Sequence, residues 1–362
     1  MKIKRLGLKN YRNCENVEMD FPTRKTLIIG KNAQGKTNIL ESIYFLSDLK
    51  SPRTSTISDL IQFNKLQFEI NAEVDKNNTD IELDYFYTAD KKRELKINKV
   101  KTTPKNFKMV VKTVLFSTKD MLLLRGSPED RRSWLDRAIS QIYPAYDDRL
   151  SKYDKIRIQK NNLLKQETVD ENLYDIYNEQ LVIAGANIIY LRKKFLKEIE
   201  QIASQKHKVI SESEEFEVSY TCPKDEVEDI AEYLKQELKE RKQEEFARRQ
   251  SCVGPHRDDI EFKINGADAT KFASQGQQRT LVLSLKLSEL EIIKEKTGFY
   301  PILLLDDVLA ELDDKRQNYL LKSIDENTQT IITSVDTLLF EQEFLKDVTI
   351  YNIDGGKIVN RG

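Results

Sequence analysis

The first thirty positions alternate between apolar and polar residues, as in KIKRLGLKNYR and NVEMDFP, which predicts two strands flanking a polar turn. TLIIG follows as a short buried run ending on a glycine. From Lys36 to Leu46 the period becomes helical, with Ile39, Leu40, Ile43 and Tyr44 on one face. Alternation returns between Leu66 and Phe116, in LQFEINAEV and DIELDYFY with a polar turn at DKNNTD. A β-rich subdomain attached to a parallel sheet is expected there.

Between Pro128 and Arg249 glycine and proline are nearly absent, and apolar residues recur at helical spacing: Trp134, Leu135, Ala138, Ile139, Ile142, then Ile176, Tyr177, Leu181. The pattern predicts two long helices at about 129–165 and 172–206, a strand at Glu217–Thr221 and a third helix around 226–247. A helix of ~35 residues spans roughly 50 Å, enough for a short arm. After Ser251, IEFKIN reads as a strand and Gln277–Lys294 as a helix. PILLLDD is a buried strand, Lys315–Ile324 a helix, and QTIITS and DVTIYNID are further strands before the turn at Asp354, Gly355 and Gly356. The expected organisation is an α/β head made from residues 1–120 and 251–362, with a helical lobe inserted at 121–250.

Composition narrows the class. The 362 residues are 33% charged and 39% hydrophobic. The longest greasy segment, LVIAGANIIYL, falls short of the ~18 apolar residues of a membrane helix. MKIKRLGLKNYRN lacks the apolar block of a signal peptide, so a cytoplasmic protein with no membrane partner is expected. Cys14, Cys222 and Cys252 are too scattered for a disulfide framework or a zinc site, and there are only 2 histidines. The net charge of -1 means that any anionic partner must meet a local basic patch.

Candidate chemistry concentrates in three segments. GKNAQGKT, from Gly30 through Lys31, Asn32, Ala33, Gln34, Gly35 and Lys36 to Thr37, fits the phosphate-binding pattern G-x-x-x-x-G-K-[ST] between a strand and a helix. The glycines let the backbone wrap a phosphate, Lys36 would reach the β- and γ-phosphates of ATP, and Thr37 would ligate Mg²⁺. ILLLDD ends a buried strand with Asp306, suited to hold the same Mg²⁺, and Asp307, placed as a general base for the attacking water. An N-cap pair at a strand end is the bland alternative. Thr37 and Asp306 are separated by most of the chain, so something large is inserted between them. ASQGQQR, at 273–279, opens an amphipathic helix, and Ser274, Gly276 and Gln277 form a second anion-binding nest. One nucleotide does not need two nests, whereas a dimer uses the second to cap the γ-phosphate held by the other subunit. An ordinary serine-capped helix start is the alternative.

With these segments in place the chain resembles the RecF family, bacterial recombination-mediator ATPases related to SMC proteins and ABC transporter ATPase subunits. LGLKNYRN, the loop GKNAQGKTNILESIYFLS, SPRTS, GSPEDRRSWLD, GPHRDD, SQGQQR and LLLDDVLAELD carry the likeness in family order. The resemblance implies an ABC/SMC-type ATPase head and places Arg53 near the nucleotide. It implies head-to-tail dimerisation driven by ATP, clamping of DNA at gaps, and slow Mg²⁺-dependent hydrolysis that releases it, with Ser274 acting in trans. It further implies roles in recombinase loading and SOS induction, with RecO and RecR as partners. An SMC-like or ABC-type subunit for chromosome maintenance or transport is the alternative.

Four departures bear on turnover: Gln275 replaces the first glycine of SGGQ, and Asp307 is shorter than the transporter glutamate. No histidine follows QTIITS, where Thr333 and Ser334 stand, and LFSTKD offers no clear glutamine. Basic residues Arg131, Arg132, Arg137, Arg192, Lys193, Lys194, Lys197 and 206–208 suit DNA phosphates or a solvated helix face equally. His256 suits a turn-capping or packing role as well as a nucleotide contact.

Overall fold

The computed structural model describes residues 1–222 and 229–361, the last two of these by backbone alone. In chain order, β1 (Lys2–Tyr11), β2 (Cys14–Asp20) and β3 (Lys25–Ile29) lead into α1 (Lys36–Asp48). Strands β4 (Gln67–Lys76), β5 (Thr79–Thr88), β6 (Arg93–Ile97) and β7 (Val100–Lys101) follow, then α2 (Pro104–Lys108), β8 (Thr113–Ser117) and α3 (Leu122–Arg125). The helical stretch comprises α4 (Pro128–Ile142), α5 (Tyr146–Leu164), α6 (Glu171–Ser211), β9 (Phe216–Tyr220), α7 (Ile230–Glu240) and α8 (Lys242–Arg248). The remainder is β10 (Ile260–Ile264), β11 (Ala267–Asp268), α9 (Ala269–Phe272), α10 (Gln275–Thr297), β12 (Ile302–Asp306), α11 (Asp314–Ser323), β13 (Thr330–Ser334), α12 (Gln342–Leu345), β14 (Val348–Asp354) and β15 (Lys357–Arg361).

The chain divides into two compact units, one of Met1–Asp120 with Lys286–Gly362 and one of Met121–Leu285. In the first, six strands run in the order β15-β14-β3-β13-β12-β8, parallel except for β15. A second, antiparallel sheet runs β2-β1-β4-β5-β6-β7. Helix α1 is buried on nearly every side, and its apolar residues share one core with both sheets. Phe45 packs edge-on against Phe68 and Tyr85 of the antiparallel sheet, which is why a helix read as one-faced has few exposed positions.

The second unit pairs its helices with a small antiparallel sheet, β11-β10-β9. Trp134 of α4 is buried against Phe195 of α6 and Phe262 of β10. This packing holds β10 with the helices, inside the compact unit Met121–Leu285. The single helix expected over 129–165 is broken. Pro144 lacks an N–H and crowds the residue before it, and Tyr143 is accordingly extended at φ -113, ψ 96. Helix α6 is longer than expected, 41 residues or about 60 Å. The helix expected around 226–247 is two helices hinged at Arg241, and its positions 226–228 lie outside the described residues.

Candidate nucleotide site

The parallel register builds the site. Thr333 on β13 lies beside both Asp306 on β12 and Ile28 on β3, so the carboxylate and the loop after β3 emerge at the same sheet end. Ligands of open α/β sheets bind at such carboxyl ends. Thr37, the second residue of α1, donates its hydroxyl to Asp306 Oδ1 at 2.9 Å, although 269 residues separate them. Thr333 also hydrogen-bonds Asp306 Oδ1 at 3.0 Å and accepts from the backbone N–H of Asp307 at 2.9 Å. Burial pushes the Asp306 carboxyl above the ordinary aspartate range, while the bonds from Thr37 and Thr333 pull it back. A half-buried carboxylate beside a threonine hydroxyl is a donor pair that fits Mg²⁺.

The loop from Gly30 to Gly35 is shaped for an anion. Gly35 sits at φ 110 and Ala33 at φ 65, and alternating left-handed residues turn successive N–H groups inward. Among the described residues, the N–H groups of Lys31, Asn32, Ala33, Gln34 and Gly35 donate to nothing. Lys36 is buried, and its Nζ donates to the carbonyls of Gly30 at 2.7 Å and Lys31 at 3.2 Å. The same Nζ is 4.0 Å from Asp307 Oδ2, whose side chain is 37% exposed. Asp307 adopts φ 52, a left-handed conformation that aspartate tolerates better than most side chains.

Several supporting residues carry no local signature. Asn13 donates to Gln34 O at 3.2 Å and accepts from Asn38 at 2.7 Å, so the polar turn after β1 props the loop. Gly356 donates to Gln34 O, and a Cβ there would lie 2.2 Å from Asn13 O. Arg53 donates to Asn38 at 2.5 Å and lies 3.4 Å from Glu41, a carboxylate with no exposed surface that Arg12 grips with two hydrogen bonds. The Arg53 position is therefore fixed by α1. Nothing in the local pattern reveals Asn13, Glu41 or Gly356, whose partners are distant in sequence.

Ser274, Gly276 and Gln277 belong to the other compact unit. Ser274 N donates to Gln277 Oε1 at 2.8 Å, and Gln277 N donates to Ser274 Oγ at 3.2 Å, a reciprocal capping box at the start of α10. Gln277 also donates to Glu214 at 2.8 Å. Within one chain the segment is thus a capped helix start with Ser274 exposed and Gly276 and Gln277 half-buried.

Residues 2–357 match the family described as RecF/RecN/SMC N terminal domain. A DNA replication and repair protein RecF of Alkaliphilus oremlandii is 41% identical, covering 99% of this chain and 100% of that protein. The corresponding protein of Bacillus cereus strain G9842 is 38% identical over 99% of this chain and 98% of its own length. Among solved structures, the recombination mediator protein RecF with ATP in the RecFOR pathway superposes with TM-score 0.91 at 34% identity, covering 99% of this chain and 97% of that one. An SMC head bound to the C-winged helix domain of ScpA superposes at 0.56 with 15% identity, covering 99% and 98%, a likeness of fold. The α/β architecture is that of RecF and SMC ATPase heads. With full-length relatives and a phosphate loop closed onto the Asp306 strand end, this chain belongs to the RecF family, the recombination mediators of DNA replication and repair.

Proposed function

We propose that this chain is a slow, Mg²⁺-dependent ATPase whose ATP-bound form dimerises head to tail and closes on DNA at gaps. The observation that carries the reading is the Thr37–Asp306 contact beside a loop of unpartnered N–H groups. Thr37 and Asp306 would hold Mg²⁺, which supplies charge neutralisation at the phosphate oxygens. The N–H groups from Lys31 to Gly35 receive the phosphates, and Lys36 exchanges the Gly30 and Lys31 carbonyls for phosphate oxygens. Arg53, in the segment after α1, is held by Asn38 and Glu41 of that helix and serves the nucleotide.

Asp307 orients and deprotonates the attacking water. Its carboxylate is short and partly exposed, which supports slow turnover and a timing role for hydrolysis. Ser274, Gly276 and Gln277 face the γ-phosphate of a second copy, and ATP favours the dimer by its higher affinity for the closed form. In functional terms the head takes residues 1–120 and 251–362, since the segment at 273–279 serves the nucleotide, and the lobe takes 121–250. The protein acts in the cytoplasm, in gap repair, recombinase loading and SOS induction. RecO and RecR are the proposed partners because a similar solved protein belongs to the RecFOR pathway.

The test is the solution mass of Asp307→Asn by light scattering, with Mg²⁺, in the presence and absence of ATP. The expected result is a doubling with ATP that Ser274→Arg in the same background abolishes. A protein that binds ATP and stays monomeric sinks the two-nest dimer.

A further inference from the structure

GPHRDD, at 254–259, lies in the second compact unit, and almost every residue in it is committed. Gly254 adopts φ 118, and a Cβ there would lie 2.3 Å from the Tyr153 hydroxyl. The Pro255 carbonyl accepts from Arg192 at 2.6 Å. His256 Nε2 meets the Ser251 carbonyl at 3.2 Å, which can only accept, so Nε2 carries the proton and Nδ1 accepts from the Tyr153 hydroxyl at 2.6 Å. Asp258 accepts from Tyr220, and Asp259 takes a two-pronged bond from Arg131. Arg131 and Arg192, two of the basic residues suited to DNA from sequence, are buried in these internal pairs. Arg257 is the exposed member of the segment.

This scaffold walls a cleft of about 450 Å³ lined by Arg132, Arg157, Arg192, Arg257, Tyr153 and His256. Glu129, Asp136 and Asp154 line it as well. Asp136 is taken by Arg192 and Asp154 by Arg157. Arg132 and Arg257 bond only carbonyls, of Asp258 at 2.6 Å and of Ser251 at 3.2 and 3.1 Å. Among the described residues neither pairs with a carboxylate. Burial lowers the His256 pKa to about 3; the hydrogen bond to the Ser251 carbonyl opposes this, and the charges of Arg157, Arg257 and Arg132 add to it. Burial also lowers Arg132, with the Arg192 charge adding to it, while the nearby carboxylates of Asp259, Glu129 and Asp258 oppose the shift without forming an ion pair.

We propose that the Arg132–Arg257 cleft is an oxyanion site of the lobe, and that its occupant is a backbone phosphate of DNA. Two guanidinium groups without carboxylate partners present planar, paired donors that suit a phosphate. The inference rests on the DNA-binding reading above.

The full chain labelled with ¹³C in histidine gives two ring signals, and His256→Asn assigns them. Inorganic phosphate is expected to move the His256 signal saturably, in the parent and in Lys36→Ala alike. It should leave it unmoved in the Arg132→Gln/Arg257→Gln double variant, with the His207 signal unchanged as the control for folding. A short duplex should move the same signal. The double variant should bind that duplex about tenfold or more weakly, with the dependence of log affinity on log salt shallower by roughly 2. A His256 signal indifferent to phosphate overturns the site. DNA binding by the double variant with the parental salt slope overturns the occupant, while leaving DNA binding itself intact. If phosphate moves the signal but the parent binds no DNA, the DNA-binding reading has failed and the oxyanion site stands without that occupant. Displacement of phosphate by polyglutamate and not by duplex assigns the cleft to an acidic protein instead.

Discussion

The Thr37 hydroxyl donates to Asp306 Oδ1 at 2.9 Å across 269 residues of sequence. A side chain on the first turn of α1 and a carboxylate at the end of β12 thus share one polar centre, with Thr333 bonded to the same carboxylate oxygen. Thr37→Val keeps the helix and the shape and removes the hydroxyl. Nucleotide affinity with Mg²⁺ present should fall about tenfold, ~1.4 kcal/mol, and the gain on adding Mg²⁺ should largely vanish. Titration with a fluorescent ATP analogue, with and without Mg²⁺, measures both; an undiminished gain removes Thr37 from the metal site.

Asn13 supports the loop from outside it, through Gln34 O and Asn38. Asn13→Ala removes two hydrogen bonds at a part-buried position, each worth roughly 1 kcal/mol. Nucleotide affinity should drop about tenfold, and the melting temperature without nucleotide should fall by a few degrees, as a loss of about 2 kcal/mol requires. Equal affinity in the variant means that the loop holds its own shape.

Lys160 and Glu245 form an ion pair with neither side chain exposed, at 2.5 Å. Burial lowers the Lys160 pKa and the Glu245 carboxylate opposes this. Tyr174 and the Cys252 N–H donate to the same carboxylate. Lys160→Met alone strands a buried charge and should cost about 3–5 kcal/mol in urea unfolding. Lys160→Met with Glu245→Gln should cost clearly less than the two single changes added together. Additive costs place the two residues outside one network.

His256 predicts an acid sensitivity. Its folded pKa is about 3, against an ordinary value of 6.5. Above pH 6.5 both folded and unfolded forms are neutral at this ring, so it contributes no pH dependence. Between 6.5 and about 3 the unfolded chain binds a proton that the folded chain refuses, so stability falls as pH falls, by about 1.4 kcal/mol per unit. Between pH 7.5 and 5.5, the parent should therefore lose about 1.4 kcal/mol more than His256→Asn does. Parallel urea midpoints for the two proteins across that range exclude a neutral buried ring.

The chemistry-bearing segments were legible because each is local. A phosphate loop needs its glycines, lysine and threonine within eight consecutive positions between a strand and a helix, and GKNAQGKT provides them. The end of β12 is likewise four apolar residues followed by two aspartates. Pro144 was equally visible, yet helical periodicity on both sides of it masked the break that its missing N–H imposes.

Other features depend on which strand lies beside which, and no local pattern encodes that. The order β3-β13-β12 aligns Thr333 with both Asp306 and the base of the phosphate loop. The β14–β15 turn brings Gly356 against Asn13. Pairing of β10 with β9, and Phe262 against Trp134, holds β10 with the helices of the second compact unit. Charge shows the same division. Arginines appear in the sequence as equivalent basic residues, but the fold commits Arg131 and Arg192 to internal carboxylates and, among the described residues, pairs Arg132 and Arg257 with none. By itself the sequence determined the kinds of groups available and the local backbone that presents them. The tertiary structure decided which of those groups meet, because burial and strand order set the partners and the cost of leaving a charge unpaired.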